Sequence, residues 1–342
     1  MASFAPRLAF PVLDSLPRSY FLGHHRAGLN KMKTMLTNID LIIECRDYRV
    51  PLTSRNPLFE ETLAGSERLI VYTKHDLGSG GRIADKIEES AIEASQSPTP
   101  VLFSDYQHKT SVRRILNFVQ EHAIAKASVT GSRMMVVGMP NVGKSTLLNA
   151  LRNVGMNKRK AASTGAQPGI TRKIGTEVKI IEGQENCENV YLVDTPGVFI
   201  PYLPDSQAML KLALCGSVKD DVIDPITLAD YLLFQMNLQD PEIYANYSSP
   251  TNDIIEFLHR VAHKTGRFVQ GAQPNEPASA LWFIQRWRQG KLGSFVLDKV
   301  TPETLEGASN ANGNLRSSLN QARLAAKDMK RRRSKQQSDD AG

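Results

Sequence analysis

The residues with the clearest chemical meaning lie near the middle of the chain, where positions 138–145 read GMPNVGKS. Every constrained position of the phosphate-loop pattern G-x-x-x-x-G-K-[ST] is matched, with a strand-like run before the loop and a helical pattern after it. In such a loop the backbone N–H groups turn inward around a polyphosphate, the lysine reaches the terminal phosphates and the hydroxyl ligates Mg²⁺. The sequence therefore predicts a nucleoside triphosphate site in which Lys144 and Ser145 take the last two roles.

Two further groups of polar residues follow strand-like runs. Asp194 and Gly197 form an Asp-x-x-Gly pattern after residues 190–193. A triphosphatase places there a carboxylate that supports Mg²⁺ through water and a glycine whose N–H meets the terminal phosphate. Ser104 and Asp105 end another short run. The Asp-x-x-Gly pattern is weak alone and takes its meaning from the other motifs.

Residues 73–76, Thr-Lys-His-Asp, match the guanine-reading pattern [NT]-K-x-D at the end of another strand-like run. A fixed carboxylate at Asp76 can accept hydrogen bonds from both the ring N–H and the exocyclic amine of guanine, with Lys74 lying along the base plane. Adenine offers no such pair, and a site with unpaired buried groups can reject the wrong base by up to about 10⁴-fold. The alternative is a polar loop without a ligand.

Strand-like and helical patterns alternate along the first two thirds of the chain. The strand-like runs lie at 39–45, 68–72, 100–103, 133–137, 175–181 and 190–193, and the helical patterns at 29–36, 58–64, 82–94, 112–125 and 146–151. This alternation predicts an α/β fold with a mostly parallel sheet, helices on both faces and ligand-binding loops at the carboxyl ends of the strands. The basic, aperiodic stretch at 158–173 predicts a mobile loop.

From about residue 205 onward the pattern is helical alone, which predicts a separate all-helical domain that starts near Gly216. We expect four parts. They are an N-terminal segment at 1–28, a nucleotide-binding domain at 29–215, a helical domain at 216–300 and a flexible basic tail at 301–342.

The composition is that of an ordinary globular protein, with 41% hydrophobic and 23% charged residues. The net charge of +7 is carried by one region, because residues 316–335 hold eight Lys or Arg and a single acid. Such an arm can contact the phosphates of structured RNA, and it can also bind an anionic membrane surface. No apolar run reaches the roughly 18 residues of a membrane-spanning helix, so we expect no integral membrane segment.

Cysteine usage and the N-terminal residues bear on the compartment. The three cysteines, at 45, 187 and 215, are widely scattered, which predicts reduced thiols in an intracellular compartment. Residues 1–20 carry Arg7 and Arg18 against one acid, which is compatible with a short mitochondrial targeting segment. A plain flexible terminus remains the alternative, since three prolines oppose a continuous amphipathic helix.

The order of the motifs carries further information. In an ordinary GTPase the base-reading motif follows the phosphate loop, whereas here residues 73–76 and 104–105 precede it, and Thr171 and Asp194 follow it. This order resembles that of the circularly permuted GTPases, and the chain is most similar to their ribosome-assembly branch over roughly residues 20–287. The shared motifs are Gly23-His24, Asp47-x-Arg49-x-Pro51, Ser54-Arg55-Asn56-Pro57, Met139-Pro140-Asn141-Val142, Pro168-Gly169-Ile170-Thr171 and Asp194-Thr195-Pro196-Gly197-Val198. The chain departs from the family in having Thr73 for the usual Asn and Leu22 for the usual Pro.

The resemblance implies roles for individual residues. It implies that Ser145 and Thr171 ligate Mg²⁺ with support from Asp194, and that His24, Lys144 and Thr171 are catalytic. The residues that it implies for binding GTP and GDP are Thr73, Lys74, Asp76, Ser104, Asp105, Asn141, Val142, Gly143, Lys144, Ser145, Thr146 and Gly197. Asn141 matches a position that helps to bind a monovalent cation in potassium-stimulated GTPases, and the use of K⁺ stays open.

Val198 occupies the position of the glutamine that orients the attacking water in many GTPases, and an apolar side chain cannot do so. We therefore expect slow hydrolysis by the protein alone. The resemblance points to His24, on a mobile N-terminal segment, as the group that aligns water once a partner orders it, because histidine can donate or accept a proton near neutral pH. The alternative is that His24 or His25 packs at the domain surface.

By resemblance, the protein is a GTPase that converts GTP to GDP and phosphate as a timing switch in assembly of the mitochondrial large ribosomal subunit. Its partners would be that subunit and its rRNA, and its compartment the mitochondrial matrix, with peripheral contact to the inner membrane left open. We expect a monomer. The competing hypothesis is a GTP-dependent regulatory switch at a membrane surface without a direct ribosomal role.

Overall fold

The structure is a computed structural model of the 342-residue chain. It describes residues 4–13, 15–18, 20–21, 23–106, 108–126, 128, 130–158, 161–162, 175–183, 188–200, 203 and 205–310. Thr171, Cys187 and the basic segment 316–335 lie outside the described residues. His24 belongs to a described helix, but its side chain lies outside the description, so its catalytic role stays a prediction.

A six-stranded sheet forms the centre of the fold. Its strands are β1 (Leu41–Asp47), β2 (Arg68–Thr73), β3 (Val101–Ser104), β4 (Ser132–Gly138), β5 (Val178–Ile181) and β6 (Val190–Asp194). Their order across the sheet is β3-β2-β1-β4-β6-β5, and every neighbouring pair is parallel except β5 with β6. The predicted α/β fold with a mostly parallel sheet is confirmed.

The strand register brings the predicted site residues to one edge of the sheet. Asp47 at the end of β1 pairs with Thr73, and Thr73 pairs with Ser104. On the other side of β1, Cys45 pairs with Gly138, where β4 ends. Because the carboxyl ends of parallel strands meet at one edge, the base-reading loop, the phosphate loop and the loop after Asp194 converge there.

Helices connect the strands and continue after them. They are α1 (Gly23–Met35), α2 (Pro57–Thr62), α3 (His75–Gly78), α4 (Ile83–Gln96), α5 (Lys109–Lys126), α6 (Lys144–Met156), α7 (Ser206–Leu214), α8 (Pro225–Gln239), α9 (Ile254–Thr265), α10 (Glu276–Arg288) and α11 (Pro302–Asn310). Short 3₁₀ turns lie at Leu36–Asn38 and Pro241–Tyr244, and a small hairpin joins β7 (Phe268–Val269) to β8 (Gln273–Pro274). Among the described residues, no helix is both long enough and apolar enough to cross a membrane.

Both faces of the sheet are covered, as the alternation of side chains along a strand requires. Ile43 and Cys45 of β1 share a hydrophobic cluster with residues of α5 and α6. Ile42, which points to the opposite face, packs in a second cluster with Met32 of α1 and Phe59 of α2. The same main cluster continues from the sheet into α7, α8 and α10, so the boundary predicted near Gly216 lies just after α7 and beside a shared core.

The first strand is longer at its carboxyl end than predicted. It continues to Asp47 instead of ending at Cys45, because Arg46 and Asp47 are buried with ionic partners. Arg46 Nε donates to Glu44 Oε1 at 2.6 Å, and Asp47 accepts from Arg49. Buried charges of this kind look like surface residues in a sequence, since such residues are seldom buried unless they are paired.

The first helix and the segment before it also differ from expectation. Helix α1 begins at Gly23 instead of near residue 29, and His25 is buried in its first turn beside Tyr20 and Phe21. His25 is therefore buried, so the alternative in which it packs at the domain surface does not hold for this residue.

The N-terminal residues 4–13 pack against α8. They therefore do not form the flexible terminus that the sequence left as an alternative. Phe10 is buried, with its ring 5.0 Å from that of Tyr231 and 5.5 Å from that of Phe234, measured between centroids. Arg7 forms an ion pair with Asp230 at 2.5 Å. These contacts make the segment part of the folded core around α8.

Candidate nucleotide-binding site

The phosphate loop joins the end of β4 to the start of α6 and is held in a conformation that needs its glycines. Gly138 has φ +148°, and a Cβ there would lie 2.4 Å from the carbonyl oxygen of Cys45. Gly143 precedes the helix with φ +92°. Because the loop ends at the amino terminus of α6, its N–H groups and the helix dipole favour an anion at this point.

Lys144, Ser145 and Asp194 are brought together below this loop. Lys144 is buried, and its ammonium donates to the carbonyl oxygen of Met139 at 2.8 Å. Burial lowers the pKa of Lys144, while the nearby Asp194 opposes that shift. Ser145 Oγ donates to Asp194 Oδ2 at 2.5 Å.

The second carboxylate oxygen of Asp194 supports a cation site. Oδ1 is buried and has no hydrogen-bond partner among the described residues. A hydroxyl beside a carboxylate with a free oxygen is an all-oxygen donor set, which suits Mg²⁺. Ser145 and Asp194 therefore fit the predicted ion, and Thr171, the third predicted residue, lies outside the described residues.

The loop after Asp194 is locked to the phosphate loop. A Cβ on Gly197 would lie 2.5 Å from Pro140 Cα, so only glycine allows this approach. The backbone N–H of Val198 donates to the carbonyl oxygen of Gly138 at 3.2 Å. The Val198 side chain is fully buried in the cluster that contains Met32 of α1, so it packs in the interior and is not available to orient water.

Two side chains join the base-reading loop to the phosphate loop. Thr73 Oγ1 donates to the carbonyl oxygen of Val142, and the carbonyl oxygen of Arg46 lies 3.1 Å from the same hydroxyl. Lys74, whose backbone is left-handed with φ +57°, donates from Nζ to the carbonyl oxygen of Asn141 at 2.6 Å. The threonine that departs from the family pattern thus still ties the two loops together.

Asp76 presents an unpaired acceptor at the same edge. Its Oδ1 is buried and without a hydrogen-bond partner among the described residues. Burial raises the pKa of Asp76, and the negative charge of Asp105 raises it further. A desolvated carboxylate of this kind is what recognition of two guanine N–H donors requires, because an unmade bond there is costly.

The remaining predicted residues surround these groups. Ser104 and Asp105 are buried at the end of β3, and Asp105 pairs with His108 Nδ1. Thr146 is half-buried in the first turn of α6. The side chain of Asn141 reaches the carbonyl oxygen of Cys215 at 3.5 Å, a long hydrogen bond.

Two buried thiols border the site. Cys45 and Cys215 are free, and burial raises the pKa of each to about 12. The nucleophile in thiol chemistry is the thiolate, so neither residue is suited to it near neutral pH.

Asp47 and Arg49 belong to a motif recognised in the sequence without an assigned role, and the structure makes both of them functional candidates. The Asp47 carboxylate accepts from Lys74 Nζ at 2.9 Å and from Arg49 Nη2 at 2.7 Å, directly behind the base-reading loop. A sequence feature that could have indicated this role is the position of Asp47, an acid at the end of the strand that neighbours the base-reading strand. The strand register pairs Asp47 with Thr73.

The ordinary pKa of an aspartate is about 3.9. We expect GDP binding to weaken on acidification at a pH that is already above this value. The raised pKa of Asp76 means that its carboxylate takes up a proton earlier as the pH falls, and the neutral acid no longer accepts both guanine donors. The GDP dissociation constant measured against pH tests this. Pyrophosphate, which has no base, corrects for titration of the phosphates. A constant GDP-to-pyrophosphate affinity ratio down to the ordinary range contradicts the expectation.

Known proteins are similar to this chain along most of its length. Residues 133–268 match the family described as 50S ribosome-binding GTPase. Mitochondrial GTPase 1 of Schizosaccharomyces japonicus is 36% identical over 306 residues, which are 83% of this chain and 91% of that protein. Mitochondrial ribosome-associated GTPase 1 of Xenopus tropicalis is 35% identical over 301 residues, which are 82% of this chain and 94% of that protein.

Two solved structures of YlqF share the fold. The GDP-bound structure matches with a TM-score of 0.52 at 20% identity and covers 79% of this chain and 98% of that one. The GNP-bound structure of the T. maritima protein matches with a TM-score of 0.52 at 22% identity, and the match covers 80% of this chain and 97% of that one. The permuted motif order, the sheet and the sequence relatives agree, and the chain belongs to the YlqF-like family of circularly permuted ribosome-binding GTPases, which includes the mitochondrial GTPase 1 proteins.

Proposed function

We propose that this protein binds GTP and hydrolyses it slowly to GDP and phosphate, as a timing switch in assembly of the mitochondrial large ribosomal subunit. The observation that carries the nucleotide part is the joining of two loops. Thr73 and Lys74 bond to the backbone of the phosphate loop, so a base held at Asp76 and a phosphate held at Lys144 belong to one site. The ribosomal part is supported by the matched family and by the names of the relatives.

In the proposed reaction the chain supplies position and charge. Ser145, Thr171 and Asp194 hold Mg²⁺, which neutralises charge that develops on the phosphates. Lys144 adds positive charge at the terminal phosphate, and the N–H of Gly197 faces the same group. Asn141 contributes to a K⁺ site, and His24 aligns the attacking water. Val198 is buried in the core, so its side chain supports no water-orienting role and the protein alone is slow.

We place the protein in the mitochondrial matrix as a monomer, with the nucleotide-binding domain at 29–215 and the helical domain at 216–300. GTP favours binding to the large subunit, and hydrolysis releases the protein. The basic tail contacts rRNA phosphates, which makes binding strongly dependent on salt. Peripheral contact of the same tail with the inner membrane is the alternative that an experiment must separate.

The test is GTP turnover by the full-length protein, alone, with mitochondrial large subunits, and with anionic vesicles, each in K⁺ and in Na⁺. We expect stimulation by the subunits of roughly 10²-fold or more, since completing a GTPase site in trans is worth 10³–10⁵ in other systems. Stimulation by vesicles alone would favour the membrane switch, and no stimulation by either would contradict the proposal. Turnover that is equal in K⁺ and Na⁺ would remove the K⁺ site.

His24→Ala in the same assay tests the water-aligning role. The variant should bind GDP normally and lose about 10²-fold of the stimulated turnover, because general acid–base groups contribute 10²–10⁴-fold. Normal turnover with subunits present would exclude His24 from the mechanism.

A further inference from the structure

Arg49, which is ion-paired with Asp47, connects the base-reading loop to the helices that follow Gly216, α8 to α10, which we call the helical part of the chain. Arg49 forms a bidentate ion pair with the Asp47 carboxylate, in which Nε donates to Oδ1 at 3.0 Å and Nη2 donates to Oδ2 at 2.7 Å. Lys74 Nζ shares Oδ2 at 2.9 Å. Arg49 therefore fixes the orientation of the carboxylate that in turn holds Lys74.

The other contacts of Arg49 are made with residues far along the chain. Its Nη2 donates to the carbonyl oxygen of Cys215 at 3.3 Å, just after α7. Its guanidinium carbon lies 5.0 Å from the ring centroid of the buried Trp287 in α10, within the range of a cation–π contact. Its backbone carbonyl accepts from the N–H of Leu297 at 2.7 Å.

Residues 290–298 follow α10, and we call this segment the strap. The strap contacts the base-reading loop on another side. Ser294 Oγ donates to the carbonyl oxygen of Asp76 at 3.0 Å. Gly290 lies against Leu77, since a Cβ there would be 2.8 Å from Leu77 Cδ2. The strap thus contacts Asp76 directly, whereas Arg49 acts on Lys74 through Asp47.

Asp298 fastens the end of the strap. Its carboxylate accepts from the backbone N–H groups of Leu52 and Thr53 at 2.9 and 2.8 Å. Lys211 of α7 pairs with it at 3.1 Å. The strap is therefore anchored both to the loop after β1 and to α7, the last helix before the predicted boundary near Gly216.

The charges explain why Arg49 is needed. Asp47 is buried, and burial alone would raise its pKa, but Arg49 and Lys74 together hold the pKa well below its usual range. Without Arg49, Lys74 would be the one cationic partner left to the buried carboxylate among the described residues. We expect the carboxylate then to turn toward Lys74 and to draw its ammonium away from the carbonyl oxygen of Asn141, the contact that ties it to the phosphate loop.

We propose that Arg49 is a positioning residue for guanine recognition, and that together with the strap it makes selectivity for the base depend on docking of the helical part. The proposal rests on the proposed function, in which Lys74 and Asp76 read guanine. Coupling of this kind is reciprocal, so a guanine nucleotide also stabilises the docked helices.

The test compares the affinities of the full-length protein for GDP and IDP, measured by calorimetry in Mg²⁺ buffer. Inosine lacks the exocyclic amine, so the GDP-to-IDP affinity ratio reports the second hydrogen bond to Asp76. In the wild type this ratio should be about 10 or more, the size of one hydrogen bond to a charged group. Arg49→Ala and Ser294→Ala should each lower the ratio by roughly threefold or more, and Arg49→Lys should restore part of it because it keeps the charge beside Asp47.

Arg286→Ala is the matched control, because Arg286 stacks on a different tryptophan, 5.5 Å from the centroid of Trp282. It should leave the ratio unchanged. A ratio that stays at the wild-type value in both Arg49→Lys and Ser294→Ala, with melting temperatures showing folded protein, would overturn the proposal even if Arg49→Ala fails to fold. Wild-type protein that does not prefer GDP over ADP would instead refute the proposed function, so the two failures are distinguishable.

Discussion

Asp76→Asn should convert the protein from guanine to xanthine recognition. The carboxylate offers acceptors to two donors on guanine, whereas the amide offers one acceptor and one donor, which match the ring N–H and the C2 carbonyl of xanthine. Asp76 Oδ1 is buried and has no hydrogen-bond partner in the part of the chain that the structure describes, so the mismatch with guanine is not relieved by water. We expect GTP affinity to fall by about 10³-fold or more and XTP affinity to rise above that of the wild type.

The measurement is competition of GTP, XTP and ATP against a fluorescent nucleotide. Asparagine has nearly the shape of aspartate, and the hydrogen bond from Ser294 goes to the backbone of residue 76, so the loop is retained. Glu89→Gln is the matched control, since Glu89 is an acid beside the same loop that pairs with His75 at 2.7 Å. It should not exchange the bases. An Asp76→Asn protein that binds GTP like the wild type, or that loses GTP without gaining XTP, contradicts the assignment of Asp76.

Gly197→Ala should retain GDP binding and lose hydrolysis. The added Cβ would lie 2.5 Å from Pro140 Cα and 2.6 Å from Pro140 N, both backbone atoms of the phosphate loop. One of the two loops must move by about an ångström, and a displacement of that size at a reacting centre can cost about 10²-fold in rate. Asp76, which accepts the guanine donors, is not among the atoms that the added Cβ would meet, so GDP affinity should change by less than about tenfold.

Single-turnover hydrolysis with large subunits present, together with GDP titration, measures the two effects separately. Gly28→Ala is the control on the other side of the same loop, where a Cβ would meet Pro196 Cβ at an ordinary 3.7 Å. That variant should hydrolyse GTP normally. Normal hydrolysis by Gly197→Ala would show that close approach of the two loops is not required for the reaction.

The parts of this molecule that sequence predicts well depend on short-range patterns. The phosphate loop carries its own strand, glycines and helix within a few residues, and parallel register then places Thr73, Ser104 and Gly138 at one edge once the strands are known. The α/β fold follows from the alternation of apolar periods. These predictions need no knowledge of distant contacts.

What sequence misses depends on contacts between distant residues. A charged residue in a loop, such as Arg49, is expected at the surface. Its burial follows only from its contacts with Trp287 and Cys215, which lie far along the chain. The early start of α1 has a related origin, because His25 in its first turn packs on Tyr20, and the ring of Tyr20 packs in turn on that of the distant Phe199. No local periodicity encodes such partners.

The strap also constrains the order in which the protein can be completed during synthesis. Ser294 and Asp76 are separated by 218 positions, and Leu297 reaches back to Arg49. The base-reading loop is made early by the ribosome that translates this chain, but its last contacts are made only after nearly 300 residues have emerged. Because contacts of such long range form late and slowly, a nascent chain carries the guanine motif long before it carries the finished pocket.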